Sequence, residues 1–274
     1  MCRWLAYSGE PIYMDELIFR TERSLIDQSL HARLGHETTN GDGFGVGWYG
    51  SRETPGTFHG VRPAWNDTNL NDLTSQVASR LFFAHVRATT GSAVQLTNCH
   101  PFRHGTWLFM HNGRIRDFLS VKRDLVLAIA PELFTEIKGT TDSEIMFYLA
   151  LTFGLEDDPV VGMERMVGFV EGVAREKGTQ DPVQMSVAIS NGARIWGFRY
   201  ATAGEPRTLF VSKSTDAIRE LGAEIPERFE TARTIVSEPF TELTDYWNEI
   251  PASTAIILES GDVQVVPFSP RPAH

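Results

Sequence analysis

The sequence predicts an α+β fold of stacked layers in one domain spanning residues 1–274. Segments of strand character fill the first third, helical patterns run from Phe118 to Arg175, and the C-terminal third returns to strands. No internal repeat, low-complexity tract or linker interrupts them. A chain of 274 residues, 42% hydrophobic and 22% charged, is long enough to bury one large core.

Taken in order, residues 2–7 read as a short, largely apolar strand, and Asp15 to His31 reads as a broken helix with apolar residues at Leu17, Ile18, Leu25, Ile26 and Leu30. The run Asn40-Gly41-Asp42-Gly43-Phe44-Gly45-Val46-Gly47-Trp48-Tyr49 alternates glycine with bulky residues, which suits a strand approached closely on one face by another backbone. With no lysine after it, the run is not a phosphate loop. A polar stretch covers Pro55 to Asn71. Leu81 to Ala88 and Thr106 to His111 are strands that end in polar residues, so loops can bring Arg87 and Asn112-Gly113 to one site. Helices are predicted at Phe118–Ala130, Ser143–Phe153 and Val160–Arg175. Met185–Ser190 and Arg194–Tyr200 flank Asn191-Gly192-Ala193, which signals a tight hairpin with a primed turn. Thr208–Ser212, Arg233–Val236, Thr254–Leu258 and Val263–Val266 complete the strands.

A net charge of −10 argues against a nucleic-acid or anionic-membrane partner. Two cysteines are too few for a disulfide framework, no apolar stretch approaches the ~20 residues of a membrane span, and no signal-type segment opens the chain. A cytoplasmic location is expected. His85, His100, His104 and His111 raise the question of a metal. His100 and His104 have HxxxH spacing, but Pro101 between them argues against a helix that would align them, and no carboxylate stands by as third ligand. Neither metal nor cofactor is expected. Cys99 reads as a packed thiol, since it and its neighbour His100 point to opposite faces of an extended chain.

Chemistry centres on Cys2. Removal of Met1 would make it residue one, and a chain-terminal cysteine carries its own base, an α-amine with a pKa near ~8 that can take the thiol proton directly or through one water. Read alone, Cys2 is also a buried small hydrophobe at the start of a strand. Three further motifs stand with it: His85-Val86-Arg87-Ala88-Thr89-Thr90, His111-Asn112-Gly113, and Gly139-Thr140-Thr141-Asp142-Ser143-Glu144. Separately, Arg87 reads as a surface ion-pair residue and Asp142 as a helix N-cap.

Cys2 and these motifs, in this order over most of the chain, resemble the class II glutamine amidotransferases, which are N-terminal nucleophile hydrolases. The resemblance is strongest to stand-alone members that open Met-Cys-Arg and carry Asn-x-Asp-Gly-Phe-Gly-x-Gly-Trp, including the γ-glutamyl amidohydrolase of ergothioneine biosynthesis. It implies a four-layer αββα sandwich of two mostly antiparallel sheets. It also implies an amidohydrolase that cleaves the γ-amide of glutamine or a small γ-glutamyl compound through a cysteinyl thioester. Cys2 matches the family nucleophile, and Asn112 (side chain) and Gly113 (backbone N–H) match the oxyanion hole. Arg87 matches the clamp on the substrate α-carboxylate, and Asp142 the partner of its α-ammonium. Asn98, His100 and His111 are placed in the pocket lining. An arginine that supports the nucleophile in synthase-coupled members is missing here, where Thr39-Asn40-Gly41-Asp42-Gly43 stands and Asn40 or Asp42 is left to order the loop. No ammonia-using domain follows the match, so release of ammonia to water or to a separate acceptor protein is expected. A γ-glutamyl amidohydrolase of the ergothioneine type and a non-catalytic glutamine-binding regulator are the alternatives.

Overall fold

The computed structural model describes residues 2–31, 39–89, 91–227, 229–241 and 244–273. Met1, whose removal matters to the reading of Cys2, and Thr90 of the arginine motif lie outside the described residues.

The strands are β1 (Arg3–Tyr13), β2 (Phe44–Trp48), β3 (Gly56–Gly60), β4 (Ala78–Val86), β5 (Phe102–His104), β6 (Trp107–Ile115), β7 (Val183–Ser190), β8 (Ile195–Ala201), β9 (Phe210–Ser212), β10 (Arg233–Val236), β11 (Trp247–Glu249), β12 (Thr254–Glu259) and β13 (Asp262–Pro267). They form two sheets, one of seven strands in the order β11-β9-β10-β1-β4-β2-β3 and one of six in the order β13-β12-β8-β7-β6-β5. Every pairing in them is antiparallel.

The layers follow from alternation along the strands. Trp4, Ala6, Leu81 and Phe83 from the first sheet meet Leu108, Met110, Ala188 and Ile256 from the second in one buried cluster between the sheets. The opposite faces bury Leu5, Tyr7, Phe82 and Ala84 on one side and Phe109, Val187, Ile189 and Phe198 on the other. Helices α1 (Leu25–Leu30) and α2 (Thr68–Gln76) cover the first sheet; α3 (Phe118–Leu127), α4 (Pro131–Phe134), α5 (Asp142–Thr152) and α6 (Pro159–Glu176) cover the second, and a short α7 (Thr215–Arg219) returns to the first. This is the αββα arrangement that the motifs implied. Helix α5 is buried from Ser143 to Leu151 because it lies between the second sheet and the other helices of its layer, which is why it is apolar all round.

Several elements differ from the sequence reading. The predicted Asp15–His31 helix is a π-helical turn (Glu16–Arg20) and then α1, broken because Thr21 is extended and Ser24 starts afresh as an N-cap, accepting from Asp27 N at 3.1 Å. The polar Pro55–Asn71 stretch holds β3 and the start of α2, whose cap Asp67 accepts from Leu70 N at 2.8 Å. Residues 191–194 form a four-residue loop between the paired Ser190 and Ile195, and Gly192 alone in it has a left-handed φ. Asn191 Oδ1 accepts from Ala193 N and Arg194 N, so the asparagine bridges the loop with its side chain in place of a primed turn. The glycine run behaves as expected: a Cβ on Gly45 would lie 2.2 Å from the His100 carbonyl oxygen.

Candidate active site

Toward one end, the layer between the sheets changes from apolar to polar. Residues two apart on a strand share a face, so Trp4 and Ala6 are followed outward by Cys2, and Leu81 and Phe83 by His85 and Arg87. On the second sheet Leu108 and Met110 are followed by Asn112 and Arg114, Ala188 by Ser186, and Ile195 by Arg199. Register aligns the change: Trp4 pairs with His85, and Asn112 with Ser186, which in turn pairs with Arg199. The mouth of the sandwich is therefore built from the same strands as its core.

Cys2 is partly buried, and its Sγ lies 3.6 Å from the Ala88 carbonyl, next to Arg87. Burial pushes its thiol pKa up, while the charges of Arg87 and Arg3 pull it down. Arg3 is held by Glu238 at 2.6 Å, each side chain only 2% exposed. Arg3 also donates to the Cys2 carbonyl at 3.0 Å, which locks the backbone of the candidate nucleophile. The sequence offered no signal for this buried pair, since Glu238 lies far along the chain.

Arg87 is buried, contrary to the surface ion-pair reading of the residue alone. Its backbone pairs with the glycine run, donating to Gly43 O at 2.8 Å and accepting from Asp42 N at 3.0 Å. Its guanidinium donates to Ser92 Oγ at 2.6 Å and to Thr89 Oγ1 and Asp42 O at 3.3 Å. The Asp42 carboxylate accepts from Thr89 N at 2.8 Å, so Asp42 does order this loop. Asn40 is buried and anchored by its backbone to Ser29 O.

Asn112 and Gly113 lie inside β6 rather than at its end, which corrects the sequence reading. The reason is the partner strands: β7 pairs with β6 through Ile115, whereas β5 stops at the Phe102–Phe109 pair and leaves that edge uncovered from Met110 onward. Arg116 N donates to Pro182 O, so residues 112, 114 and 116 turn their N–H toward β7 and residues 113 and 115 turn theirs to the uncovered edge. Ile115 N accordingly donates to Asp142 Oδ2 at 2.8 Å. The Gly113 N–H points the same way. No larger residue fits there, because a Cβ would lie 2.0 Å from Gln184 O and 2.4 Å from His111 Nε2.

Asp142 is the first residue of α5, and the cap is Thr141, whose Oγ1 accepts from Glu144 N. The Asp142 carboxylate thus has Ile115 N on one oxygen and Ser143 N, at 2.9 Å, on the other. Beside it is a cleft of about 810 Å³ lined by Ser92, Arg114, Arg116, Thr140 and Asp142 among others, within the size range of small-molecule sites.

Asn98 is a strut: its amide nitrogen donates to Ala93 O and Thr140 Oγ1, and its oxygen accepts from Thr140 N at 2.8 Å. It fastens the segment after Arg87 to the segment before Asp142. His100 stacks on His85 with ring centroids 4.3 Å apart, both buried between the sheets. Burial holds both neutral, with the His85 pKa down to about 3 and that of His100 well below its usual value. His111 Nδ1 lies 2.8 Å from Ser143 Oγ; burial lowers its pKa and Asp142 opposes this. His104 stands apart, against Glu136. Among the described residues no three histidine, cysteine or carboxylate side chains group as a metal ion would require. Cys99 is buried, its thiol directed at Gly60 O.

Arg207 escaped the sequence reading. It lies half-buried in the loop before β9, where its charge interacts with Cys2, Arg3 and Arg114. It belongs to no motif. Arg114 was not singled out either, although its spacing of two from Asn112 puts both on one face of β6.

Residues 19–273 match the family described as glutamine amidotransferases class-II, and the chain belongs to that family of enzymes. It is 31% identical to the probable glutamine amidotransferase DUG3 of Saccharomyces cerevisiae over 98% of this chain and 84% of the relative. It is 26% identical to the gamma-glutamyl-hercynylcysteine sulfoxide hydrolase of Mycolicibacterium smegmatis, over 98% of this chain and all of that one. A solved glutamine aminotransferase class-II domain protein from Silicibacter pomeroyi superposes with a TM-score of 0.77 at 30% identity, covering 98% of this chain and 100% of its own. The glutamine phosphoribosylpyrophosphate amidotransferase of B. subtilis shares the fold, with a TM-score of 0.65 at 15% identity over 99% of this chain and 50% of its own. No described helix is long and apolar enough to cross a membrane.

Proposed function

We propose that this chain is a γ-glutamyl amidohydrolase acting on glutamine or a small γ-glutamyl amide, with Cys2 as nucleophile. The observation that carries the reading is the convergence of Cys2, Arg87, Asn112 and Gly113 at one mouth of the sandwich, with Asp142 tied to the same edge of β6 through Ile115. Once Met1 is removed, the α-amine takes the Cys2 proton and the thiolate attacks the γ-carbonyl carbon. Asn112 Nδ2 and the Gly113 N–H hold the oxyanion, the C–N bond breaks, and the amine leaves with the proton. Water then cleaves the thioester to glutamate and restores the thiol. Arg87 holds the α-carboxylate and Asp142 the α-ammonium of the glutamyl head. The name of the mycobacterial relative supports a substrate whose amine is larger than ammonia. The reaction proceeds in the cytoplasm, in keeping with two free thiols and no disulfide among the described residues.

The test is glutamate release from L-glutamine and from γ-glutamylethylamide, using protein whose intact mass shows Met1 gone, beside its Cys2→Ala variant. The variant is expected to lose release by at least about 10³-fold while keeping its melting temperature. Equal release by the variant would remove Cys2 from the mechanism, and no release by either protein would favour a glutamine-binding regulator.

A further inference from the structure

Helix α5 is fastened to β6 at two points, and Gly113 lies between them. At the outer point Asp142 Oδ2 accepts from Ile115 N at 2.8 Å. At the inner point the next helix residue, Ser143, brings its Oγ within 2.8 Å of His111 Nδ1. The same serine serves Asp142: its N–H donates to Asp142 Oδ1 at 2.9 Å, and its hydroxyl lies 3.4 Å from that oxygen. His111, Gly113 and Ile115 are alternate residues of one extended strand and share a face. The imidazole leans along the strand until Nε2 stands 2.4 Å from where a Gly113 Cβ would begin. The glycine and the histidine are therefore matched, and both His111 and Ser143 are buried. The loop leading into α5 is held as well: Glu144 accepts from Lys138 N at 2.9 Å and Gly139 N at 2.7 Å, and Asn98 Oδ1 accepts from Thr140 N at 2.8 Å.

A single bond to Ile115 N would leave the Asp142 carboxylate free to turn about it. The contacts from Ser143, itself tied to His111, remove that freedom. In the amidohydrolase reading, on which this inference rests, Gly113 and Asp142 have different tasks: one N–H meets the oxyanion and one carboxylate meets the α-ammonium. We infer that His111 is a positioning residue that, through Ser143, holds Gly113 and Asp142 as one unit, so that correct seating of the substrate's α-ammonium also seats its γ-carbonyl on the Gly113 N–H. Recognition of the glutamyl head is thereby converted into rate, because binding at a part of the substrate that does not react orients the part that does. His111 acts through Ser143 and the strand, and carries no proton in the reaction.

The test compares L-glutamine with glutaramate, the same amide without its α-ammonium. Titration calorimetry on the Cys2→Ala protein, which needs no turnover, is expected to give a preference for L-glutamine of about tenfold or more. In that background Ser143→Ala and His111→Leu should each shrink the preference by about threefold or more. Combined, they should shrink it no further than the larger single effect, since both break one chain of contacts. His111→Asn has the shape of the leucine variant but sets an amide where Nδ1 stood, and should retain most of the preference. With Cys2 in place and Met1 removed, Ser143→Ala and His111→Leu should lower kcat on L-glutamine by about tenfold, and His111→Asn by less. A preference unchanged in Ser143→Ala and His111→Leu overturns the inference, as do equal losses in the leucine and asparagine variants, which would make His111 a packing residue. Ser143→Ala, the loss of one hydroxyl, remains decisive if His111→Leu misfolds. A preference that responds to the variants as expected, with no glutamate released by the wild-type protein, would sink the amidohydrolase reading and leave the clamp on Asp142 standing.

Discussion

The two ends of the layer between the sheets share strands, register and burial, yet one holds a core and the other a candidate site. At the level of Phe83, Met110 and Ala188 the facing side chains are apolar and interlock; one residue pair further along the same strands they are His85, Asn112 and Ser186. At the apolar end, contact area provides stability. At the polar end the same rigid strands hold groups that do not maximise stability, such as the buried imidazoles of His85 and His100, whose ring nitrogens have no hydrogen-bond partner among the described residues. An enzyme gains from this division because donors fixed by a sheet need little reorganisation as charge develops.

Phe83→Ala tests the core end. Phe83 is fully buried, and the change should cost about 3–5 kcal/mol, read as a lower midpoint in urea, with KM for a γ-glutamyl amide unchanged. Asn112→Ala tests the mouth. It should lower kcat by about 10²–10³-fold and leave the urea midpoint nearly in place; a variant that loses stability instead would make Asn112 a packing residue and erase the division.

The third test is acidification. His85 has a folded pKa of about 3 and that of His100 is also depressed, both below the unfolded value of about 6.5. The unfolded chain therefore takes up the protons first. Stability is complete above about pH 6.5 and is lost as pH falls toward the folded pKa values, by up to about 1.4 kcal/mol per pH unit for each histidine. His85→Phe should make this slope shallower with little change at pH 7. A slope equal to wild type would show that His85 is already charged in the folded state.

Much of the architecture was readable before the structure. The strands around Arg87 and Asn112 were readable from their apolar runs, and the strand phase seen in β4 and β6 explains why His85, Arg87 and Asn112 lie on the faces they do, because alternation is a local property of an extended chain. Helical patterns at Phe118–Ala130, Ser143–Phe153 and Val160–Arg175 foretold α3, α5 and α6 but not the short α4, and the candidate residues came from their motifs. The helix break at Thr21–Ser24 and the Asn191 loop have local causes, whereas two other misses trace to partners distant in sequence. Asn112 and Gly113 were placed at a strand end because nothing local says that β7 carries β6 on to Ile115 while β5 stops short. The β3 strand was hidden because Gly56–Gly60 is polar and extended only through pairing with β2.

Sequence alone therefore determined which chemistry is present: a cysteine at position 2, an arginine in phase with an apolar strand, an asparagine-glycine pair and an aspartate at a helix start. Tertiary structure decided how these groups are used. It set Arg3 against Glu238 to fix the Cys2 backbone, turned the Gly113 N–H to an uncovered edge, and brought Arg207 from the opposite side of β1 to the mouth. Each of these depends on which strands become neighbours, and that is settled by burial of both faces of two sheets at once, a property of the whole chain that no short segment encodes.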